Sequence, residues 1–238
     1  MIPIETKIFE ELKAKGYWKI TIRPTEHKKD RLTLDQCKMF VAESQVKLRG
    51  WYYPHIGDKI SNFFKANDYA ESYVDWKDHK EVWRMYTSGQ FVHYLAFWED
   101  WLPYYRQQIG FSTNANAGDK VKSILMTLYT ITEIFLFTSR LASKKVFDDN
   151  VQISIQLHNV SGRVLVVDDI MRHLRDNYVC MSESLTYEKK YDVQELIVKY
   201  DELALDATAY VFSMFNWDNP DLKKTLKLDQ EKFLKGLI

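Results

Sequence analysis

Residues 81–106 read EVWRMYTSGQFVHYLAFWEDWLPYYR, and this stretch decides the fold. It contains nine aromatic residues and one clear turn signal, Ser88-Gly89. The residues before the turn alternate as in a strand, and the segment after it, QFVHYLAFW, is apolar on both faces. A strand that is apolar on both faces is normally covered on both faces. We therefore predict a β-hairpin at the centre of a hydrophobic core.

The segments on the N-terminal side of this hairpin alternate between strand and helix patterns. YWKITIRP at 17–24 alternates as a strand does, whereas TLDQ at 33–36 is a capping box that begins a helix. VKLRGWYYPHIG at 46–57 is predicted to be a strand that Pro54 interrupts. YAESYVDW at 69–76 is predicted to be an edge strand beside the hairpin.

Two long helices and a group of strands are predicted for the C-terminal half. The first helix runs from about 119 to 142 with Asp119 as its N-cap, and the second runs from about 193 to 215 with an unbroken amphipathic pattern. We expect the second helix to pack on the strands rather than to form a dimer seam. Between the helices we predict an antiparallel meander with strands at 151–157, 163–167 and 178–191.

These patterns together predict an α+β fold with mainly antiparallel sheets and long amphipathic helices at about 119–142 and 193–215. Residues 107–118 have no apolar period and are the best candidate for a boundary. It would separate an aromatic-rich α+β subdomain at 1–106 from a helix-meander-helix-helix subdomain at 119–238. The alternative is one fused domain, because the long buried helix needs partners on several sides.

The composition limits the function classes. The 238 residues are 46% hydrophobic and 28% charged, and their formal net charge is zero, so nothing indicates broad neutralisation of nucleic-acid phosphates. The two cysteines form neither a disulfide framework nor a zinc pattern. The N-terminus lacks the apolar region of a signal peptide, and the most apolar run, 124–137, is too short and too polar to span a bilayer. We expect a cytoplasmic protein without membrane contact.

One set of residues mixes arginines with aromatic side chains and is the first candidate for a binding site. Such mixtures stack on single-stranded bases or form hot spots for protein partners. The alternative is that the aromatic residues are core and each arginine pairs with a carboxylate. We predict a non-enzymatic binding, sensor or adaptor module with a protein partner, with nucleic acid and a homo-oligomer as the other options. The candidate residues are Arg49, Trp51, Tyr53, His55, Trp83, Arg84 and Arg106.

A second set of residues suggests an enzyme instead. Asp75, Asp78 and His79, with His55, could hold a cation in a metal-dependent nuclease or hydrolase. Their spacing matches no specific metal signature, and a solvated loop is the alternative. His93 lies on an apolar strand and is predicted to be a core histidine rather than a general base. The sequence contains no GxSxG, P-loop or GxGxxG motif, and we predict no cofactor and no catalytic residue.

Two segments, LRGWYYPHIG at 48–57 and EVWRMYTSGQFVHY at 81–94, carry a resemblance. Together they resemble a little-characterised prokaryotic module associated with proteins that have an AlbA-like (Schlafen-type) DNA-binding and ATP-binding domain. The similarity extends loosely from about residue 10 to the C-terminus, and the associated domain itself is not found here. The resemblance implies a prokaryotic or phage-related sensing or accessory module in defence or regulation. It supplies no catalytic residue.

Overall fold

The computed structural model describes residues 4–56, 64–102, 120–169 and 172–237. The helices of these segments are α1 (Ile4–Lys13), α2 (Leu34–Ser44), α3 (Trp98–Trp101), α4 (Ile124–Ser143), α5 (Val193–Ser213) and α6 (Leu222–Leu234). The strands are β1 (Tyr17–Pro24), β2 (Phe64–Lys65), β3 (Tyr69–Asp75), β4 (Lys80–Tyr86), β5 (Phe91–Ala96), β6 (Val121–Ser123), β7 (Asn150–His158), β8 (Val164–Val166) and β9 (Ser184–Asp192). The α+β class predicted from the sequence is confirmed.

Seven strands form one sheet in the order β2-β3-β4-β5-β1-β7-β9, and every neighbouring pair is antiparallel. The predicted central hairpin is β4 and β5, in which Trp83 lies opposite His93. Strand β1 joins the two parts of the sheet, because Ile20 lies opposite His93 on one side and Ile155 on the other. Strands from 1–106 and from 119–238 therefore lie in the same sheet.

Local signals explain where several elements begin and turn. In the predicted capping box, the Thr33 hydroxyl accepts a hydrogen bond from the Gln36 backbone N–H at 3.2 Å. The Gln36 side chain accepts one from the Thr33 N–H at 2.9 Å, so two free donors at the start of α2 are satisfied. Gly89 in the hairpin turn has φ +85°, a conformation that favours glycine. This turn sets the register of β4 and β5.

The core lies between one face of the sheet and helix α4. The Phe137 ring of α4 lies 4.9 Å from Phe91 of β5, and the Phe135 ring lies 5.6 Å from Tyr191 of β9. Helix α1 covers part of the opposite face. By length and composition α4 could cross a membrane, but most of it is buried inside the protein. The core helix of a soluble protein has the same properties.

The predicted meander is wrong in its middle strand. β8 leaves the large sheet and pairs in parallel with β6, so β7 and β9 pair directly with each other. All three residues of β8 are buried. An unbroken apolar triplet suits a strand that is covered on both faces, whereas a meander with one solvated face requires alternation.

The start of the first long helix is also corrected. Asp119, the predicted N-cap, lies outside the described residues, and 121–123 form β6 instead. The helix begins at Ile124, where the Ser123 hydroxyl accepts a hydrogen bond from the Met126 backbone N–H at 2.9 Å. Serine and aspartate are equally good N-caps, so the type of residue could not distinguish the two starts. The predicted boundary at 107–118 lies outside the described residues.

Two further segments refine the sequence prediction. Residues 46–56 are a loop rather than a strand, and only Val46 and Tyr53 pair with each other, through backbone hydrogen bonds of 2.8 Å. The cis peptide bond before Pro54 lies in this loop. Helix α5 packs on β9, on α4 and on α6. Its apolar residues Leu196 and Leu203 are buried within the chain.

Candidate functional site

The loop at 46–56 gathers four of the predicted binding residues in one region. The Gln45 side chain donates a hydrogen bond to the Pro54 carbonyl at 2.8 Å, which closes the base of the loop. At its far end, the Trp83 indole N–H of β4 donates to the His55 carbonyl at 2.9 Å. Trp83 itself is fully buried. Its role is therefore to hold the loop against the sheet and not to contact a ligand.

A cavity of about 130 Å³ opens beside this loop, and its walls are mostly aromatic. The ring centroids of Trp51 and Trp98 are 4.6 Å apart, and those of His55 and Trp76 are 4.8 Å apart. Aromatic walls with a few polar groups are typical of small-ligand sites. We call this cavity the tryptophan pocket, and it is lined by Trp51, His55, Trp76, Asp78, His79 and Trp98.

His55 is the unusual residue of this pocket. It is 7% exposed, and neither of its ring nitrogens has a hydrogen-bond partner within the described part of the chain. The Trp98 indole nitrogen is unpaired in the same way. A buried polar group without a partner costs about 1–3 kcal/mol, so native structures rarely keep one without a reason. The pocket wall thus has unused capacity for hydrogen bonds.

A buried carboxylate, Glu81 of β4, lies directly behind the pocket. One of its oxygens accepts from the His55 backbone N–H at 2.7 Å and lies 3.7 Å from the His79 ring, while the other lies 2.9 Å from His93 Nε2. Burial alone would raise the pKa of Glu81. The attraction of His79 and His93 outweighs burial and lowers that pKa to about 2. Glu81 is therefore ionised at neutral pH.

The buried hydrogen-bond chain continues from Glu81 to Tyr53. An ionised carboxylate only accepts, so Nε2 of His93 carries the proton and donates to Glu81. The other ring nitrogen, Nδ1, lies 3.3 Å from the Tyr53 hydroxyl, within hydrogen-bond distance. Burial, and then the nearby Glu133 and Glu81, raise the pKa of Tyr53 well above its usual value, so the hydroxyl keeps its proton. His93 is fully buried, in agreement with a role as a core histidine.

Arg49 supports the opposite wall. Its Nε donates to Glu133 of α4 at 3.2 Å, and a second nitrogen binds the other oxygen of the same carboxylate. Burial raises the pKa of Glu133, and the attraction of Arg49 opposes this rise. The guanidinium also lies 5.4 Å from the centroid of Trp51. Arg49 is therefore already bound by Glu133, in a bidentate geometry that fixes the guanidinium beneath Trp51.

Several carboxylates lie around the pocket. Glu133 is balanced by Arg49, whereas Glu81 behind the wall and Asp78 on the wall have no arginine partner among the described residues. On the far side of Trp98, Lys122 and Glu99 pair at 2.8 Å and add no net charge. Glu81 is paired with His79 and His93, and Asp78 places a further carboxylate at a site with low-dielectric aromatic walls, where a charge acts strongly.

The remaining predicted residues lie elsewhere. Adjacent strand residues point to opposite faces of a sheet, so Trp83 faces the core while Arg84 faces the other side. There the Arg84 side chain donates to Glu71 at 2.6 Å and lies over the Tyr69 ring. The structure does not bring Arg84 to the pocket. Arg106 lies outside the described residues.

The residues of the metal hypothesis come near each other without forming a ligand set. Asp78 and His79 line the pocket, but Asp75 is bound by Lys80, which also pairs with Glu11 at 2.7 Å. Across the described ranges, no group of three or more histidine, cysteine, aspartate or glutamate side chains is placed to hold a metal ion. The cluster near Asp75 is built as an ion-pair network.

Four residues at the pocket were not among the site residues predicted from the sequence: Trp76, Trp98, Glu81 and Glu133. The pocket combines side chains from the loop, from α3 and from the turn before β4, and Glu81 of β4 lies behind them. Local periodicity carries no information on such long-range proximity. The sequence did contain a signal for the role of Glu81, because the alternation in β4 places it on the same core face as Trp83. A carboxylate at an apolar strand position requires a buried partner.

Comparisons of the chain with protein-family models, with curated proteins and with solved structures find no match. The resemblance to the module associated with AlbA-like proteins therefore stays a prediction. The geometry of the pocket is the basis for a functional proposal.

Proposed function

We propose that this chain is a non-enzymatic binding or sensor module that receives a small group of a partner protein in the tryptophan pocket. The observation that carries this proposal is His55, whose imidazole is 7% exposed at the cavity wall and has no hydrogen-bond partner in the segments that the structure describes. A bound group with a donor or an acceptor would satisfy this imidazole. The free energy lost by burying it would then be recovered on binding.

The charges favour a protein partner over nucleic acid. Binding to nucleic acid is dominated by cations that neutralise phosphates. At this pocket Arg49 is already bound by Glu133, and Asp78 and Glu81 would repel a phosphate. A role in prokaryotic or phage-related defence or regulation is supported by the sequence resemblance alone.

The metal-dependent nuclease or hydrolase is the alternative proposal, and it has less support. It needs Asp75 as a ligand, and that carboxylate is bound by Lys80. Incubation with single- and double-stranded nucleic acids and manganese, with and without EDTA, tests it directly. Cleavage that EDTA abolishes and that Asp75→Ala eliminates would favour the enzyme.

The binding proposal is tested with the full chain labelled with ¹⁵N at the tryptophan indoles. The probes are a panel of capped amino acids and nucleoside monophosphates. We expect at least one capped amino acid to shift the indole resonances of Trp51, Trp76 and Trp98, and no probe to be turned over. Trp217 provides an internal control, because it packs on Tyr178 and Phe212 outside the pocket. A panel that leaves all three pocket resonances unchanged would contradict the proposal.

A further inference from the structure

The walls of the tryptophan pocket have the chemistry of a cation site, and this inference rests on the function proposed above. We propose that the group it receives is an organic ammonium cation, such as an alkylated lysine side chain of the partner. Positive ligands bind over the electron-rich faces of aromatic rings, and tryptophan is the strongest of the aromatic side chains in this role. Three tryptophans and two histidines line the cavity.

The rings are arranged as a cage rather than as a stack. The planes of Trp51 and Trp98 are inclined at 52°, and those of His55 and Trp76 at 70°. Inclined rings present several faces and edges to one enclosed space, whereas stacked rings would cover each other's faces. A compact cation with alkyl groups can contact several such walls at once, and a flat ligand cannot.

The protein already places one cation against this cage. The Arg49 guanidinium lies 5.4 Å from the Trp51 centroid and is fixed there by Glu133. Its position shows that a positive charge is accommodated beside this indole when a carboxylate compensates it. On the cavity side, Asp78 is the corresponding carboxylate, because it lines the pocket and is exposed to an incoming ligand.

The surrounding charge is consistent with the same ligand class. Glu81 lies behind His55 and is ionised at neutral pH, and its backbone contact fixes the position of the imidazole. A cation entering the cavity would approach both Glu81 and Asp78, whereas a phosphate or a carboxylate would be repelled by them. His55 offers a hydrogen-bond donor or acceptor for the part of the ligand next to the ammonium group.

The test compares choline with 3,3-dimethylbutan-1-ol, a neutral molecule of the same shape that also has a hydroxyl group. Both are titrated into the full chain, and binding is followed by the indole resonances of Trp51, Trp76 and Trp98. We expect choline to bind about tenfold more tightly than the alcohol, since that is the range of a cation–π contribution. Equal binding of the two would overturn the inference.

Two variants with matched controls separate binding from folding. Trp76→Ala should abolish choline binding, whereas Tyr52→Ala should preserve it, because the two side chains are equally exposed, at 45% and 44%, and Tyr52 does not line the pocket. Asp78→Asn should weaken choline binding severalfold, and Asp176→Asn, at another exposed aspartate, should not. Unchanged choline binding in both Trp76→Ala and Asp78→Asn would overturn the cation site.

The outcomes also distinguish this inference from the function on which it rests. If capped neutral amino acids move the pocket resonances and choline does not, the ammonium ligand is wrong and the binding module stands. If nucleoside monophosphates bind more tightly than choline, the ammonium ligand is wrong and the preferred partner class changes to nucleic acid. If no probe moves the pocket resonances, both proposals fail.

Discussion

The two faces of the central hairpin each hold an arginine, a carboxylate and an aromatic ring, and yet they differ in what they can do. On the core face, Arg49 binds Glu133 beside Trp51. On the other face, Arg84 binds Glu71 and lies 4.8 Å from the centroid of Tyr69. In the sequence both arginines are near aromatic residues, so the same rule selected both as binding residues.

Burial separates the two groups. The side chains of Arg49 and Glu133 are 7% and 0% exposed, whereas that of Arg84 is 25% exposed. Arg49 also lies beside Trp51, which lines the tryptophan pocket together with His55, a histidine whose ring nitrogens have no partner among the described residues. The comparison teaches that an arginine-aromatic mixture is not itself a site. The site is identified by an enclosed cavity whose walls have polar groups without partners.

The largest expected loss of stability follows from breaking the buried pair of Arg49 and Glu133. Glu133→Gln leaves the Arg49 guanidinium charged and without its carboxylate in the core, and removal of one partner of a buried ion pair costs about 3–5 kcal/mol. We expect the free energy of unfolding, measured with urea at pH 7, to fall by that amount.

The matched control is Glu71→Gln on the other face. The partner there, Arg84, reaches solvent, and the amide oxygen of glutamine can still accept its hydrogen bond. We expect a loss of stability of less than about 1 kcal/mol, or a gain. Similar losses of stability in the two variants would contradict this expectation. They would mean that the buried pair of Arg49 and Glu133 contributes no more to folding than the pair of Arg84 and Glu71.

The second expected effect is on the pH dependence of stability and concerns Glu81 on the core face. The pKa of Glu81 is lowered from 4.5 to about 2, so its contribution to stability is fully present above pH 4.5 and is lost as the pH falls towards 2. The shift corresponds to about 3 kcal/mol. We expect the stability difference between the wild type and Glu81→Gln to narrow steadily below pH 4.5, as measured by urea unfolding at a series of pH values. A difference independent of pH would contradict the ionised Glu81.

Much of the fold follows from the sequence, because periodicity and capping are local. The boundaries of β1 were predicted from the alternation that ends at Pro24, and the capping box at Thr33 fixed the start of α2. The position of β8 was not predictable in this way. An apolar triplet is compatible with a parallel or an antiparallel partner, and the choice depends on β6, which precedes the long helix and carries no strand signal of its own.

The site was predictable only in part. The sequence singled out Trp51 and His55, which are close together in the chain, and the structure places both in the pocket wall. Trp76 follows β3 and Trp98 follows β5, and the pairing of β3, β4 and β5 brings both beside the loop. Arg84 was predicted to be a binding residue, but the structure does not place it at the pocket. Its neighbour Trp83 faces the core, so the strand period of two sends Arg84 to the opposite face.

The last expected effect is also on the pH dependence of stability, but it has the opposite sign and concerns Glu71 on the other face. Burial raises the pKa of Glu71 from 4.5 to about 7, even though Arg84 is bound to it. The folded protein therefore favours the protonated carboxyl. Stability from this group is fully present below pH 4.5 and is lost as the pH rises through 7. The glutamine in Glu71→Gln cannot ionise, so this variant does not lose stability in this way as the pH rises.

We therefore expect the stability of Glu71→Gln relative to the wild type to increase between pH 4.5 and 8, while Glu81→Gln shows no such trend in that window. Urea unfolding of the three proteins at pH 4.5, 6, 7 and 8 measures both. Glu71 lies in β3 and Glu81 in the neighbouring strand β4, and yet one carboxyl stabilises the fold by being protonated and the other by being ionised. If the relative stability of Glu71→Gln instead fell with rising pH, the attraction of Arg84 would dominate over burial, and both faces would use ionised carboxylates in the same way.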